Sequence, residues 1–229
     1  MNNIAIIPAR GGSKRIPRKN VKSFLDKPII AYSIDAAMKS GLFTEVMVST
    51  DDAEIAEVAK QYGASVPFLR SEKTSDDFAT LADVINEVLA EYEKMGKRFD
   101  AFCCVLATAP FLTSQRILEA HTQLVEHDFD SVFPVLRFSY PIQRSLQINN
   151  GQVSMVYPEY RNSRSQDLAP RFHDSGQFYW MWCDRFQQQQ TLFAEKSGAI
   201  ELKEWEVQDI DTEEDWKMAE IKYRLLQHD

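Results

Sequence analysis

The sequence predicts an α/β protein: a three-layer αβα, Rossmann-like fold on a mostly parallel sheet, with one small inserted β arm. Three observations carry this expectation. Short apolar, β-rich runs alternate with segments whose apolar residues recur at helical spacing, the pattern of βαβ units. The first such run, Ile4–Ile7, leads directly into a basic loop containing Gly11-Gly12, and open α/β sheets bind ligands at the carboxyl ends of their strands. The alternation breaks once, over residues 138–175, where prolines and an Asn149-Asn150-Gly151 turn signal intervene.

The elements follow in order. Ile4–Ile7 reads as a buried strand. Pro28 stands where a helix starts, Ile30, Ile34 and Ala37 form its inner face, and Gly41 ends it. Val46–Val48 is the second strand. Ile55, Val58, Ala59 and Tyr62 mark a helix stopped by Gly63. Leu81, Val84, Ile85, Val88, Leu89 and Tyr92 make the cleanest helical stripe, closed by Gly96, and Phe102–Leu106 is a central strand. Ser114 is placed to cap a helix carrying Ile117, His121, Leu124 and Val125, and Val132–Val135 is the next strand. Within the insert, Leu146–Ile148 and Val153–Val156 flank the Asn-Gly turn as a hairpin. The final helix carries Trp216, Ala219, Tyr223 and Leu226; Thr212 caps it, with Asp215 at capping-box spacing.

The chain has 229 residues with 26 Lys plus Arg against 34 Asp plus Glu, a net charge of −8. The length predicts one domain over 1–229, the 138–175 arm included, and the charge argues against a nucleic-acid-binding face, which needs basic charge over a broad surface. Three cysteines form no disulfide framework, so the cytoplasm is expected. Ile4–Ile7 is too short for a signal-peptide core, and no stretch nears the ~20 apolar residues of a membrane span.

The chemistry concentrates in the loop from Pro8 to Asn20. It holds the cations Arg10, Lys14, Arg15, Arg18 and Lys19, the hydroxyl of Ser13, and two glycines that let backbone come close to a ligand. Backbone N–H groups, a hydroxyl and fixed positive charge suit a triphosphate. The loop is neither a Walker A motif nor a dinucleotide G-x-G-x-x-G. A solvated basic loop is the plainer reading of such a run. Its position after a buried strand, inside an acidic chain, favours phosphate.

Ile7-Pro8-Ala9-Arg10-Gly11-Gly12-Ser13-Lys14, followed by Lys19-Asn20, resembles the N-terminal motif of the sugar-activating cytidylyltransferases. It is most similar to the CMP-sialic acid synthetase family and, within it, to the pseudaminic acid enzymes. Weaker matches follow in the family's order: Val48-Ser49-Thr50-Asp51, Arg70, Ser75-Asp76, Thr108-Ala109-Pro110-Phe111, Leu146 to Gly151, Asp174-Ser175-Gly176 and Asp209-Ile210-Asp211. The resemblance implies a nucleotidyltransferase fold and a Mg²⁺-dependent reaction of CTP with a nonulosonic acid, giving the CMP-sugar and diphosphate. It implies nucleotide contacts from Ala9, Arg10, Gly11, Gly12, Ser13, Lys14, Lys19, Asn20, Arg70 and Thr80. Sugar contacts would come from Thr108, His173, Asp174, Ser175 and Gln177. Asp209 and Asp211 would hold the metal, with Arg10, Lys19 and Asp211 as catalytic groups. It also implies a homodimer paired through the arm. CMP-legionaminate, CMP-N-acetylneuraminate and CMP-Kdo synthetases are the alternatives within the class, and a catalytically silent nucleotide-binding protein is the alternative outside it.

One position departs from the family. The N-acetylneuraminate enzymes have a glutamine-proline pair before a Thr-Ser-Pro; here Leu106-Ala107 precedes Thr108-Ala109-Pro110. An apolar Leu106 suits a sugar with more apolar substituents. Asp209 and Asp211, at alternate positions of an extended segment, share a face and can share an ion; helix capping is the competing reading. Contiguous His173-Asp174-Ser175 cannot converge as a hydrolytic triad. Cys103, Cys104 and His121 read as core. Arg161, Arg164 and Arg171 are either a solvated face or partners for a substrate carboxylate.

Overall fold

In the computed structural model, which describes residues 1–227, β1 (Asn3–Pro8) leads into the basic loop. A small hairpin of β2 (Ser23–Phe24) and β3 (Lys27–Pro28) precedes α1 (Ile29–Ser40). Then come β4 (Glu45–Ser49), α2 (Ala53–Gln61), α3 (Leu81–Lys94), β5 (Ala101–Val105), α4 (Ser114–Glu126) and β6 (Ser131–Arg137). The insert holds β7 (Leu146–Asn149) and β8 (Gln152–Met155). The chain continues with β9 (Phe172–Asp174), β10 (Phe178–Trp182), α5 (Cys183–Gln189), β11 (Ser197–Leu202) and α6 (Glu213–Gln227).

The main sheet has seven strands in the order β11-β6-β10-β5-β1-β4, with β9 paired to β6. β1 runs parallel to β4 and β5, and β11 parallel to β6. The sequence expectation of a mostly parallel sheet holds, with two departures. β10 lies antiparallel between β5 and β6, and β9 is antiparallel to β6. The chain leaves β6 at Arg137 and comes back through the insert to the same end of that strand, with Phe172 opposite Arg137, so β9 and then β10 run back antiparallel.

Period-two alternation builds both cores from the same strands. Ala5, Ile7, Cys103, Val105, Phe178 and Trp180 face α1, α2 and α4. Ile4, Ile6, Phe102, Cys104, Tyr179 and Met181 face α3 and α5. A third cluster joins the basic loop to the last helix, burying Ile16, Phe24, Ile210 and Trp216 together. His121 is buried, with its ring 4.8 Å from Trp180 and Nε2 3.3 Å from Asn3 Nδ2. It packs, as expected.

Three local expectations shift. Thr113, not Ser114, caps α4: its hydroxyl accepts from Arg116 N at 3.3 Å, and Ser114 is already helical. Leu226 stays exposed, because α6 outruns the body it packs on and buries only Trp216 and Ala219. The arm ends earlier than residue 175, since β9 rejoins the main sheet through Leu136↔His173. The hairpin itself forms a separate two-stranded sheet, turned through Asn150 and Gly151 at φ 52° and 79°, the geometry of a primed turn.

At Gly198 on β11, a Cβ would overlap the ring of Phe129. Gly198→Ala should therefore destabilise the fold by about 1–3 kcal/mol, the usual cost of overpacking. A lowered urea midpoint at unchanged slope checks this, and Phe129→Leu in the same chain should recover part of the loss.

Candidate active site

The carboxyl ends of β1 and β5 form the floor of a cavity of about 670 Å³. The basic loop covers one side and the segment leading into α3 covers the other. Of the sequence-predicted nucleotide residues, Arg10, Ser13, Lys14, Lys19, Asn20, Arg70 and Thr80 line it, and Thr108 joins them from the end of β5. Leu106 and Ala107 complete the floor.

The loop is held by the junction between β4 and α2. Ala9 N donates to Ser49 O at 2.9 Å, and Gly11 N donates to Asp51 Oδ1 at 2.9 Å. Arg18 reaches Asp52 with both terminal nitrogens, at 2.5 and 3.0 Å, and also meets Glu54. Asp52 is at the same time the N-cap of α2, accepting from Ile55 N at 3.0 Å. These contacts revise the expected role of Gly11. A Cβ there would lie 2.8 Å from Asp52 Oδ2, so the glycine lets the loop close on its own anchor. Gly12 faces open space. Ala9 is buried and extends β1.

Every cation of the loop meets a carboxylate. Arg10 donates to Asp77 Oδ1 at 2.8 Å and to Asp76 O at 2.9 Å, and Lys14 pairs with the same Asp77. Arg15 meets Asp211 at 2.8 Å. Lys19 donates to Ile210 O at 2.6 Å and lies 3.8 Å from Asp211. Burial pulls the Lys19 ammonium below the usual lysine range, against Asp211 and Asp209, which favour its charge. Asp77 escaped the sequence reading. Its Asp76-Asp77 dipeptide just ahead of a Thr80-x-x-Asp83 capping box was the available signal.

Other predicted residues have structural partners. Asn20 is buried and donates to Arg10 O at 2.9 Å. Arg70 is buried, with Nε on Ser49 Oγ at 3.0 Å, and desolvation lowers its pKa from the ordinary arginine value. Thr80 lines the cavity but commits its hydroxyl to Asp83 as the cap of α3.

A second cavity, of about 340 Å³, opens beside the end of β6 and is lined by His173, Asp174, Ser175 and Asp209. Asp174 accepts from Gly176 N at 2.9 Å and from the Tyr179 hydroxyl. Gln177 lines neither cavity; its amide donates to Glu206 O at 2.7 Å. Arg161, Arg164 and Arg171 line neither, and Arg164 pairs with Asp167.

Asp209 lines the second cavity, Asp211 lies 3.8 Å from Lys19 of the first, and Ile210 between them in sequence is buried. Neither caps α6. That role falls to Thr212, whose hydroxyl accepts from Asp215 N at 3.2 Å, while the Asp215 carboxylate accepts from Thr212 N at 2.8 Å. The Asp209 carboxyl is raised above the usual carboxylate range, first by desolvation and then by the charge of Asp211. Among the described residues no group of three or more His, Cys, Asp or Glu side chains is able to hold a metal alone. Two neighbouring carboxylates, one of them short of countercharge, fit a Mg²⁺ that takes its remaining ligands from phosphates and water.

A cation-lined cavity at the carboxyl edge of a Rossmann-like sheet, with paired aspartates beside it, defines a nucleotidyltransferase. Residues 4–216 match the family model described as Cytidylyltransferase, and the chain belongs to the cytidylyltransferase family. It is 42% identical over 226 residues to the pseudaminic acid cytidylyltransferase of Campylobacter jejuni, covering 98% of this chain and 97% of that one. It is 34% identical over 234 residues to the CMP-N,N'-diacetyllegionaminic acid synthase of Legionella pneumophila, covering 99% and 98%. A CMP:2-keto-3-deoxy-manno-octonic acid synthetase solved with CTP shares the fold, with a TM-score of 0.70 at 16% identity over 100% of both chains.

The anchoring pair has a pH signature. The Arg18 hydrogen bonds hold the Asp52 carboxyl down at about 2, against about 3.9 for a free aspartate. The folded value is the depressed one, so the pair stabilises fully above about pH 4 and fades as pH falls toward about 2. Asp52→Asn keeps the cap but loses the charge. Urea midpoints across that window should fall less steeply with acid in the variant than in the parent.

Proposed function

We propose that this chain catalyses CTP + pseudaminic acid → CMP-pseudaminic acid + diphosphate. The observation that carries the reading is the convergence of Arg10, Lys14, Lys19 and Arg70 on one cavity, with a second, polar cavity across the Asp209–Asp211 segment. One takes the triphosphate and the other the sugar. Leu106 on the floor supports an acceptor with apolar substituents, and the Campylobacter relative acts on pseudaminic acid by name.

In the reaction, the anomeric hydroxyl oxygen forms a bond to the α-phosphorus. The bond to the bridging oxygen breaks, diphosphate leaves with the electron pair, and the hydroxyl proton is released. Such a step needs in-line positioning and neutralised charge. Arg10 and Lys14 must exchange Asp77 for phosphate oxygens, so the 75–79 segment has to yield when CTP enters. Lys19, partly desolvated, meets phosphate with a stronger field than a solvated lysine would. A Mg²⁺ held by Asp209 and Asp211 would neutralise triphosphate charge and polarise the phosphoryl group. Cytosine is read by buried polar groups near Asn20 and Thr80, which a uracil would leave unpaired. A need for CTP supports a cytoplasmic location. Among the described residues no helix is long and apolar enough to cross a membrane.

The arm pairs two chains. Leu146, Ile148 and Val153 present apolar side chains to solvent on the hairpin, Ile148 at 72% exposure, on an element too small for its own core. A two-fold homodimer buries them.

Lys19→Ala should lower kcat/KM for CTP by about 10- to 100-fold, the loss of a charge-assisted bond, with a modest fall in melting temperature because the ammonium also donates to Ile210 O. Pyrophosphate-release kinetics check it, and wild-type values would remove Lys19 from the site. In a panel of nonulosonic acids with CTP, pseudaminic acid should show the highest kcat/KM. A preference for legionaminic acid, N-acetylneuraminic acid or Kdo would reassign the sugar, and no turnover of any would leave a nucleotide-binding protein. Light scattering at micromolar concentration should give twice the chain mass of 26.4 kDa, and Ile148→Glu with Val153→Glu should give a monomer.

A further inference from the structure

We propose that Arg137 binds the carboxylate of the acceptor sugar within the second cavity. The proposal rests on the reading above and adds the residue that recognises the acid. Arg137 is the last residue of β6, in register with Phe172 of β9, and it lines the cavity together with His173, Ser175 and Asp209. The cations of the phosphate loop are all ion-paired. Arg137, in the same acidic chain, makes no ion pair and no side-chain hydrogen bond among the described residues.

The other cation of the cavity is committed. Lys222 Nζ donates to Val207 O at 3.1 Å and Glu204 O at 3.3 Å. A second observation points to a ligand. Ser175 is buried, and its hydroxyl has no hydrogen-bond partner among the described residues. Buried hydroxyls are otherwise satisfied in folded proteins, and an orphan on a cavity wall is a position for a ligand atom. His173 adds a donor or acceptor: its Nδ1 faces Asp174 O at 2.9 Å, and its ring lies 4.8 Å from Phe138. The Asp174 carboxylate is already occupied by Tyr179 and Gly176, so it leaves the guanidinium available.

A planar guanidinium is suited to a planar carboxylate, which it can bind through two parallel hydrogen bonds. In a nonulosonic acid the carboxylate is attached to the anomeric carbon. The residue that holds the acid therefore also orients the attacking hydroxyl. Asp209 lines this cavity, and Asp211, two residues on, meets Lys19 of the triphosphate cavity. An anion held at Arg137 thus places its anomeric centre on the side of the cavity that adjoins the phosphates.

The test uses the full chain with pseudaminic acid and CTP varied in turn, read by pyrophosphate release. Arg137→Gln should raise KM for the sugar acid by about 10- to 100-fold, the loss of one charge-assisted bond, with KM for CTP and the melting temperature unchanged. Arg137→Lys should recover part of the loss, because it keeps charge without the fork. The C1-carboxamide of the same sugar gives the readout a structural role would not move. The parent should strongly prefer the acid over the amide, and Arg137→Gln should bring the two close together. An unchanged sugar KM and acid-to-amide ratio in Arg137→Gln would overturn the proposal, and so would an equal loss on acid and amide. If the parent turns over no nonulosonic acid, the functional reading fails and takes the proposal with it. Parent turnover with an unaltered variant fails the proposal alone.

Discussion

Like charge in a short loop is the constraint on which this molecule is built. Five cations lie between Arg10 and Lys19, and left to themselves they would repel and open the loop. Each is instead held by a carboxylate from elsewhere in the chain: Asp77 for Arg10 and Lys14, Asp52 and Glu54 for Arg18, and Asp211 for Arg15 and Lys19. These acids come from the β4–α2 junction, the lead into α3 and the lead into α6. The phosphate loop therefore gathers three remote segments around the carboxyl edge of the sheet. The pairs are not equivalent. Arg18–Asp52 joins both terminal guanidinium nitrogens to one carboxylate, is tied to a helix cap and serves as an anchor. Those on Asp77 are exposed, as befits contacts that must give way to a polyanion.

Apolar packing supplies the counterpart to this electrostatic gathering. Ile16 from the loop and Ile210 from the acidic segment are buried in one cluster with Trp216. Burying side chains of that size is worth roughly 1.5–3 kcal/mol each. The cluster sets the distance between Lys19 and Asp211 without either charge having to do so. A cation and an acid on the rim of the site are thus positioned by the apolar residues of that cluster. The same segment carries Asp209 of the second cavity and Asp211 beside Lys19 of the first, so the third core cluster is anchored next to both.

Most of the fold was legible because its signals are local and repeated. The short, wholly apolar run Ile4–Ile7, helical spacing from Leu81 to Tyr92, and glycines at Gly41, Gly63 and Gly96, all with positive φ, each follow from a few neighbouring residues. The antiparallel placement of β10 was not legible, because strand order is decided by which sheet edge is open when the chain returns. Nor was the shift of the α4 cap from Ser114 to Thr113, since both residue types cap and only the backbone angles choose between them.

For the site, sequence by itself determined the chemistry available: a run of cations after a buried first strand, a hydroxyl, two alternate aspartates, and an apolar Leu106. Those are properties of residue type and spacing. Tertiary structure alone decided which of them meet. It made Arg18, one of the loop's five cations, an anchor on Asp52 and gave Gly11 the task of accommodating that carboxylate. It withdrew Gln177 to a carbonyl of the Glu204–Glu206 turn and brought in Asp77 and Arg137, which no motif marks. The physical reason is that an ion pair or a cavity wall joins groups distant along the chain, such as Lys19 and Asp211, and their approach depends on how the intervening elements pack.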